Sequence, residues 1–166
     1  IPQKQHNPTE WHREAKTITF NDSALSGATA SHIGPLVIRL RVNRVTIERI
    51  LIDPGSTSEV MYYKTFIKLV LNKSDLSPAP HPLFGFNMNP EYSLGKIILP
   101  VRAGSRTVEV EFLDVKLPSP YNVIVGRTWI HIMKAVPSTY HQLVRFPTAH
   151  GIEEIRRSPQ SAQVEI

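Results

Sequence analysis

The sequence predicts an all-β, barrel-like domain carrying one or two short helices, and three observations predict it. The dominant hydrophobic period through the middle of the chain is two, the mark of strands with one buried face. The apolar runs are short and end at Pro, Gly or Asn. A chain of 166 residues with 14 Pro and 8 Gly is punctuated often enough for many short strands and too often for long helices.

Residues 1–16 show neither strand nor helix period and read as a linker, as do residues 153–166, leaving 17–152 as the folded domain. Leu36, Ile38, Leu40 and Val42 alternate with Val37, Arg39 and Arg41. Asn43-Arg44 forms a turn, and Val45 and Ile47 begin a return strand. The phase of that second arm changes at Glu48-Arg49, because Ile50 and Ile52 then hold the apolar positions, so a bulge is expected just before Asp53. Further strands are expected at Lys96–Val101, Val108–Val115, Tyr121–Val125 and Tyr140–Phe146. From Ser58, the positions Val60, Tyr63, Phe66, Ile67, Val70 and Leu71 share one helical face, and Ser56-Thr57-Ser58-Glu59 has the form of a capping box. A second helix is expected at Arg127–Lys134, with Trp129, Ile130 and Met133 inward. Both helices would follow a strand and a glycine, a faint trace of internal duplication.

Composition removes several function classes. With no cysteine there is no disulfide scaffold, thiol chemistry or thiolate metal site. The seven histidines, at positions 6, 12, 32, 81, 131, 141 and 150, have no metal-ligand spacing, so no metal or other cofactor is expected. No apolar run approaches the ~20 residues a membrane span requires, and Ile1-Pro2-Gln3-Lys4 does not resemble a signal peptide, so a soluble, cytoplasmic protein is expected. Beginning at Ile1, the chain reads as a piece of a longer polypeptide. Its 19 Lys and Arg exceed its 14 Asp and Glu, but residues 51–120 hold seven of each. The tight basic groupings, Arg39/Arg41/Arg44 and Arg156-Arg157, lack interleaved aromatics that would stack on bases, and Arg39 and Arg41 fit a solvated strand face. Nucleic acid is therefore unsupported as a partner. Ser105, in Gly104-Ser105, reads as a hairpin turn rather than a nucleophile elbow.

The candidate chemistry lies in Ile50-Leu51-Ile52-Asp53-Pro54-Gly55-Ser56, where a carboxylate ends an apolar strand and a glycine then permits close backbone approach. The same residues also fit a plain type II β-turn, with Pro at its second and Gly at its third position. With that motif on the page, the sequence resembles a known family. Leu51-Ile52-Asp53-Pro54-Gly55-Ser56 is similar to the hydrophobic–Asp–Thr/Ser–Gly–Ser/Ala signature of aspartic proteases, and its single copy together with Ile124-Val125-Gly126-Arg127 resembles the retropepsin branch. Ile18-Thr19-Phe20, Gly34-Pro35-Leu36-Val37-Ile38, Leu83-Phe84-Gly85-Phe86, Leu94-Gly95, Ser119 to Arg127 and Ala135-Val136-Pro137-Ser138 follow in the order found in the protease region of plant Ty3/Gypsy-type retrotransposon Gag-Pol polyproteins. The resemblance spans Thr17 to Ile152.

This resemblance implies a retropepsin-like closed β-barrel, active as a homodimer, that acts as an aspartic endopeptidase on extended segments of its own polyprotein. Asp53 would be catalytic, one per subunit. Pro54, Gly55 and Ser56 would form the active-site loop, with the Gly55 N–H aimed at the carboxylates and the Ser56 hydroxyl bonding the outer oxygen. Phe84, Gly85, Phe86 and Gly95 would belong to a substrate-binding flap, and Gly126 and Arg127 would have structural roles beside the site. The resemblance breaks at Pro54, where the family has Thr or Ser whose hydroxyl locks the two catalytic loops across the dimer. It breaks again at Thr128, where the family has an acidic or amide residue after Gly-Arg. The alternative reading is a catalytically impaired dimerisation or peptide-binding module on the same fold.

Overall fold

The computed structural model describes residues 17–21, 34–79 and 92–159. Six strands close into a barrel, in the order β1-β2-β6-β3-β5-β4 with β4 returning to β1, and a three-stranded sheet β7-β8-β9 packs beside it. The elements are β1 (Leu36–Val42), β2 (Val45–Ile52), β3 (Glu59–Tyr62), α1 (Tyr63–Lys68), β4 (Ser93–Ala103), β5 (Arg106–Val115), β6 (Val123–Val125), α2 (Arg127–Met133), β7 (Val136–Ser138), β8 (Leu143–Thr148) and β9 (Gly151–Arg156). No helix among the described residues is long and apolar enough to cross a membrane.

The period-two alternation has the expected consequence in β1, where Leu36, Ile38, Leu40 and Val42 are buried inside the barrel while Arg39 and Arg41 face solvent. Asn43 and Arg44 both take positive φ, 47° and 75°, as the tight hairpin turn of twisted strands requires. The bulge also lies where the phase change places it. Ile38 pairs with Ile50 but Leu40 with Ile47, and Arg49 takes φ 55°. The extra residue brings Ile47, Ile50 and Ile52 to the same face, so the strand stays buried up to Asp53.

The helix expected from Ser58 is corrected. Residues Glu59–Tyr62 are a fully buried strand, paired in parallel with β5 and antiparallel with β6, and only Tyr63–Lys68 is helical. A short run buried on both faces has no reliable period, and two flanking strands satisfy its backbone better than a solvated first turn of helix would. Ser56-Thr57-Ser58-Glu59 therefore caps nothing local, and only α2 follows directly on a strand and glycine. The other expected strands form with shifted ends, while β7 and β9 were not anticipated. The linker expected from residue 153 instead begins inside β9. Glu153 accepts bonds from the Ser105 N–H (2.8 Å) and hydroxyl (2.6 Å), clipping this strand to the β4–β5 turn, and Arg145 pairs with Glu154. Polar residues that look like linker in sequence are here the fastening between sheet and barrel. The expected linker at 1–16 lies outside the described residues.

The main core fills the barrel and extends to Trp129, Met133, Val144 and Phe146, and a smaller cluster of Val60, Tyr62, Leu113 and Val115 lies on the other face of β3 and β5. Arg106 ties α2 in place by donating to the carbonyls of Ile132, Met133 and Pro147. A guanidinium at a helix C-terminus satisfies carbonyls the helix leaves open.

Candidate active site

Strand β6 runs between β2 and β3, parallel to the first and antiparallel to the second. The chain that joins β2 to β3 must therefore loop over the end of β6, and residues 53–58 form that loop. The Asp53 N–H donates to the Val125 carbonyl (2.9 Å), extending the β2–β6 ladder to the aspartate itself. The Gly55 N–H donates to Asp53 Oδ1 at 3.0 Å, and the Ser56 N–H closes the turn on the Asp53 carbonyl, also at 3.0 Å. Among the described residues the positive-φ glycines are Gly95, Gly104 and Gly151, so Gly55 does not have the left-handed geometry that a type II turn needs. What Gly55 provides is proximity: a Cβ there would lie 3.3 Å from Asp53 Oδ1.

The loop also grips the residues after β6. The Arg127 N–H donates to the Ser56 carbonyl at 2.9 Å, and a Cβ on the buried Gly126 would lie 2.4 Å from that carbonyl oxygen and 3.0 Å from the Ser58 oxygen. No side chain fits there without moving backbone. The structure thus brings Asp53, Gly55, Ser56, Gly126 and Arg127 into one constellation, although they come from chain segments about seventy residues apart. Asp53 is half-buried, while Pro54 and Gly55 are exposed at the rim.

The Ser56 hydroxyl departs from expectation. It donates to the Ser58 carbonyl at 2.7 Å and accepts the Ser58 N–H at 3.3 Å, so it stabilises its own turn rather than the carboxylate. Among the described residues no carboxylate pairs with Arg127 within the chain. Gly95, with φ 124°, packs against Leu76 and Ser77 and stands in register with Asp114. Phe84, Gly85 and Phe86 lie outside the described residues. There is no group of three or more His, Asp or Glu able to hold a metal among the described residues.

Sequence reasoning missed two carboxyl groups. Buried Glu59, on β3, accepts the Gly126 N–H at 3.1 Å and the Trp129 N–H at 2.9 Å, so it caps α2 from another strand. Burial raises its pKa, although the hydrogen bonds from Trp129 and Gly126 work against the rise. Asp114, on β5, is wholly buried with neither carboxylate oxygen hydrogen-bonded, and burial pushes its pKa up to about 7. A signal for Asp114 was present, since it continues the inward phase of Val108, Val110 and Phe112. Glu59 gave none, because its partners are fixed only by the crossing of β6.

No protein-family model matches the chain, and neither does any curated protein. Among solved structures, the chain is similar to the retroviral protease-like domain of Ddi1 from Leishmania major, with a TM-score of 0.59 and 14% identity over 78% of this chain and 95% of that one. It is less similar to a retropepsin-like aspartic protease from Rickettsia conorii (TM-score 0.48, 16% identity, 64% of this chain and 86% of that one). The EIAV protease complexed with the inhibitor HBY-793 gives a TM-score of 0.47 and 13% identity over 73% of this chain and 99% of that one. The likeness to the Ddi1 domain establishes the fold: a mostly-β, retropepsin-like closed barrel.

Proposed function

We propose that this chain is one half of a homodimeric aspartic endopeptidase, with Asp53 and its symmetry mate as the catalytic pair. One observation carries the reading. Asp53 ends β2 at the crossing of a retropepsin-like barrel, held on one side by β6 through its own amide and on the other by the Gly55 N–H. Two such carboxyls brought within a few ångströms cannot both ionise, so they share one proton. The ionised member takes a proton from water, which attacks the peptide carbonyl carbon, while the protonated member donates to the carbonyl oxygen. Collapse of the resulting diol, with a proton delivered to the amide nitrogen, breaks the C–N bond. The flap assigned to Phe84, Gly85, Phe86 and Gly95 would cover an extended peptide and pair with its backbone. The ordered motifs support a Gag-Pol polyprotein of a plant Ty3/Gypsy-type retrotransposon as the natural substrate and context.

Pro54 favours a second reading, in which the fold is kept as a dimerisation or peptide-binding module with impaired chemistry. Proline offers neither a hydroxyl nor an N–H across the dimer. Within the chain the loop is well held, since the amides of Asp53, Ser56 and Arg127 all have backbone partners. The loss falls on the contact between subunits. The deciding experiment is incubation of the domain with its upstream polyprotein from pH 4 to 7. Proteolysis predicts product on the acid side, loss of about 10³-fold or more in Asp53→Asn, and a gain in Pro54→Thr. Cleavage that survives Asp53→Asn refutes the enzyme reading, whereas peptide binding without turnover at any pH supports the module.

A further inference from the structure

The outer face of β1 and β4 gathers arginines that the sequence scatters. Arg39 and Arg41 point outward from β1, Arg44 sits at the hairpin tip, and Arg102 stands on β4 as the register partner of Arg41. Like charges directly opposite on a ladder destabilise a sheet, because their side chains start only about 5 Å apart. Arg39 is partly neutralised by Glu48, with Nε to Oε2 at 3.0 Å, and Arg102 Nε donates to the Gly104 carbonyl at 2.9 Å. Arg41 and Arg44 have no ion pair among the described residues. Two adjoining surface cavities open here. One of about 460 Å³ is bordered by Arg39, Arg41, Arg102 and Thr46, and one of about 290 Å³ by Arg41, Arg44, Arg102 and Thr107. No described carboxylate lines either cavity.

We propose that this face binds the phosphate backbone of nucleic acid without reading its sequence. All four cations are arginine, whose planar fork matches phosphate oxygens and sheds water more readily than an ammonium. Arg39 and Arg41, two residues apart on one strand, are about 7 Å apart, comparable with successive phosphates along an extended strand. Addition of an acidic peptide as a further strand is blocked at Arg41 and Val42, which pair with β2 on one side and with Arg102 and Val101 of β4 on the other, and an acidic peptide lying across the arginines is the competitor that the test below includes. A membrane surface would need exposed apolar anchors. The exposed large apolar side chains, such as Ile98, Val136 and Tyr140, line neither cavity. With no described aromatic side chain bordering the cavities, contacts are to the backbone and not to the bases. The patch lies at the opposite end of β2 from Asp53, so nucleic acid would leave the proposed peptide groove open. The inference does not depend on the chain being a protease.

The test is fluorescence anisotropy of the whole 166-residue chain with a labelled 20-nucleotide mixed-sequence single-stranded RNA, from 50 to 200 mM KCl. Three phosphates held by Arg41, Arg44 and Arg102 predict a slope of log K against log salt of about −2. Arg41→Ser combined with Arg102→Ser should bring the slope to about −0.7 and weaken binding at least tenfold at 50 mM KCl. The same double variant should melt no lower than the parent, because it removes an opposed like-charge pair, which separates lost binding from lost folding. The proposal is overturned by absence of RNA binding at 50 mM KCl, by a slope the double variant leaves unchanged, or by equal or tighter binding to poly-glutamate or to vesicles containing phosphatidylserine.

Discussion

Replacing Asp114 by Asn should make the fold less sensitive to pH. The carboxyl is buried between β3 and β4, in register with Met61 and Gly95, and neither oxygen has a hydrogen-bond partner. Its pKa is pushed from an ordinary 3.8 to about 7 by burial. A group whose pKa is higher folded than unfolded binds a proton on folding, so its favourable state is fully present below about pH 4. That stability declines as pH rises and is gone above about pH 7. The difference of about 3 units corresponds to about 4 kcal/mol, a large part of the 5–15 kcal/mol that stabilises a typical domain. The Asn side chain has nearly the shape of the protonated acid and is equally unpartnered, so the two proteins should be equally stable near pH 4. By pH 8 the variant should be more stable by up to about 4 kcal/mol, or about 10 °C in Tm. Urea titrations at pH 4, 5.5, 7 and 8 on both proteins give the difference directly. Glu59, whose pKa is also raised by burial, shares the inward face two residues along β3, and its titration cancels in the comparison. A stability difference that stays flat from pH 4 to 8 would refute the reasoning. If the chain is a protease, this buried acid makes its fold most robust on the acid side, where a proton-sharing dyad works.

Two further predictions concern side chains whose roles come from packing. Glu59→Ala should cost about 2–4 kcal/mol in urea denaturation, because it strands the buried N–H groups of Gly126 and Trp129, whereas Glu59→Gln keeps an acceptor and should cost about 1 kcal/mol or less. Val70, after α1, is 86% exposed and β-branched at φ 57°, so Val70→Gly should stabilise by about 0.5–1 kcal/mol in thermal melts, while Val70→Ala, still an L-residue at positive φ, should gain little.

Much of the candidate site was legible because its signals are local. Asp53 ends a run whose apolar character is visible in sequence, and the bulge at Glu48-Arg49 could be read from a change of phase that requires one extra residue. Gly126 stood out by its position after Val123-Ile124-Val125, and the structure supplies the reason: the space its side chain would need belongs to the backbone of the 53–58 loop. The Ser56 hydroxyl, expected on the outer carboxylate oxygen, bonds within its own turn in the single chain, because a short polar side chain readily takes a nearby backbone partner such as the Ser58 carbonyl.

What the sequence by itself determined is the alternation that buries one face of each long strand, the hairpin at Asn43-Arg44 and the place of α2, since each depends on residues within a turn or two of one another. Tertiary structure alone decided that Glu59–Tyr62 is a strand, that Glu59 caps a helix far along the chain, that Glu153 fastens β9, and that Arg41 faces Arg102. These depend on which strands lie side by side. Closing a barrel satisfies backbone hydrogen bonds between distant segments, and that requirement overrides a local helical pattern and brings together charges that no spacing in the sequence connects.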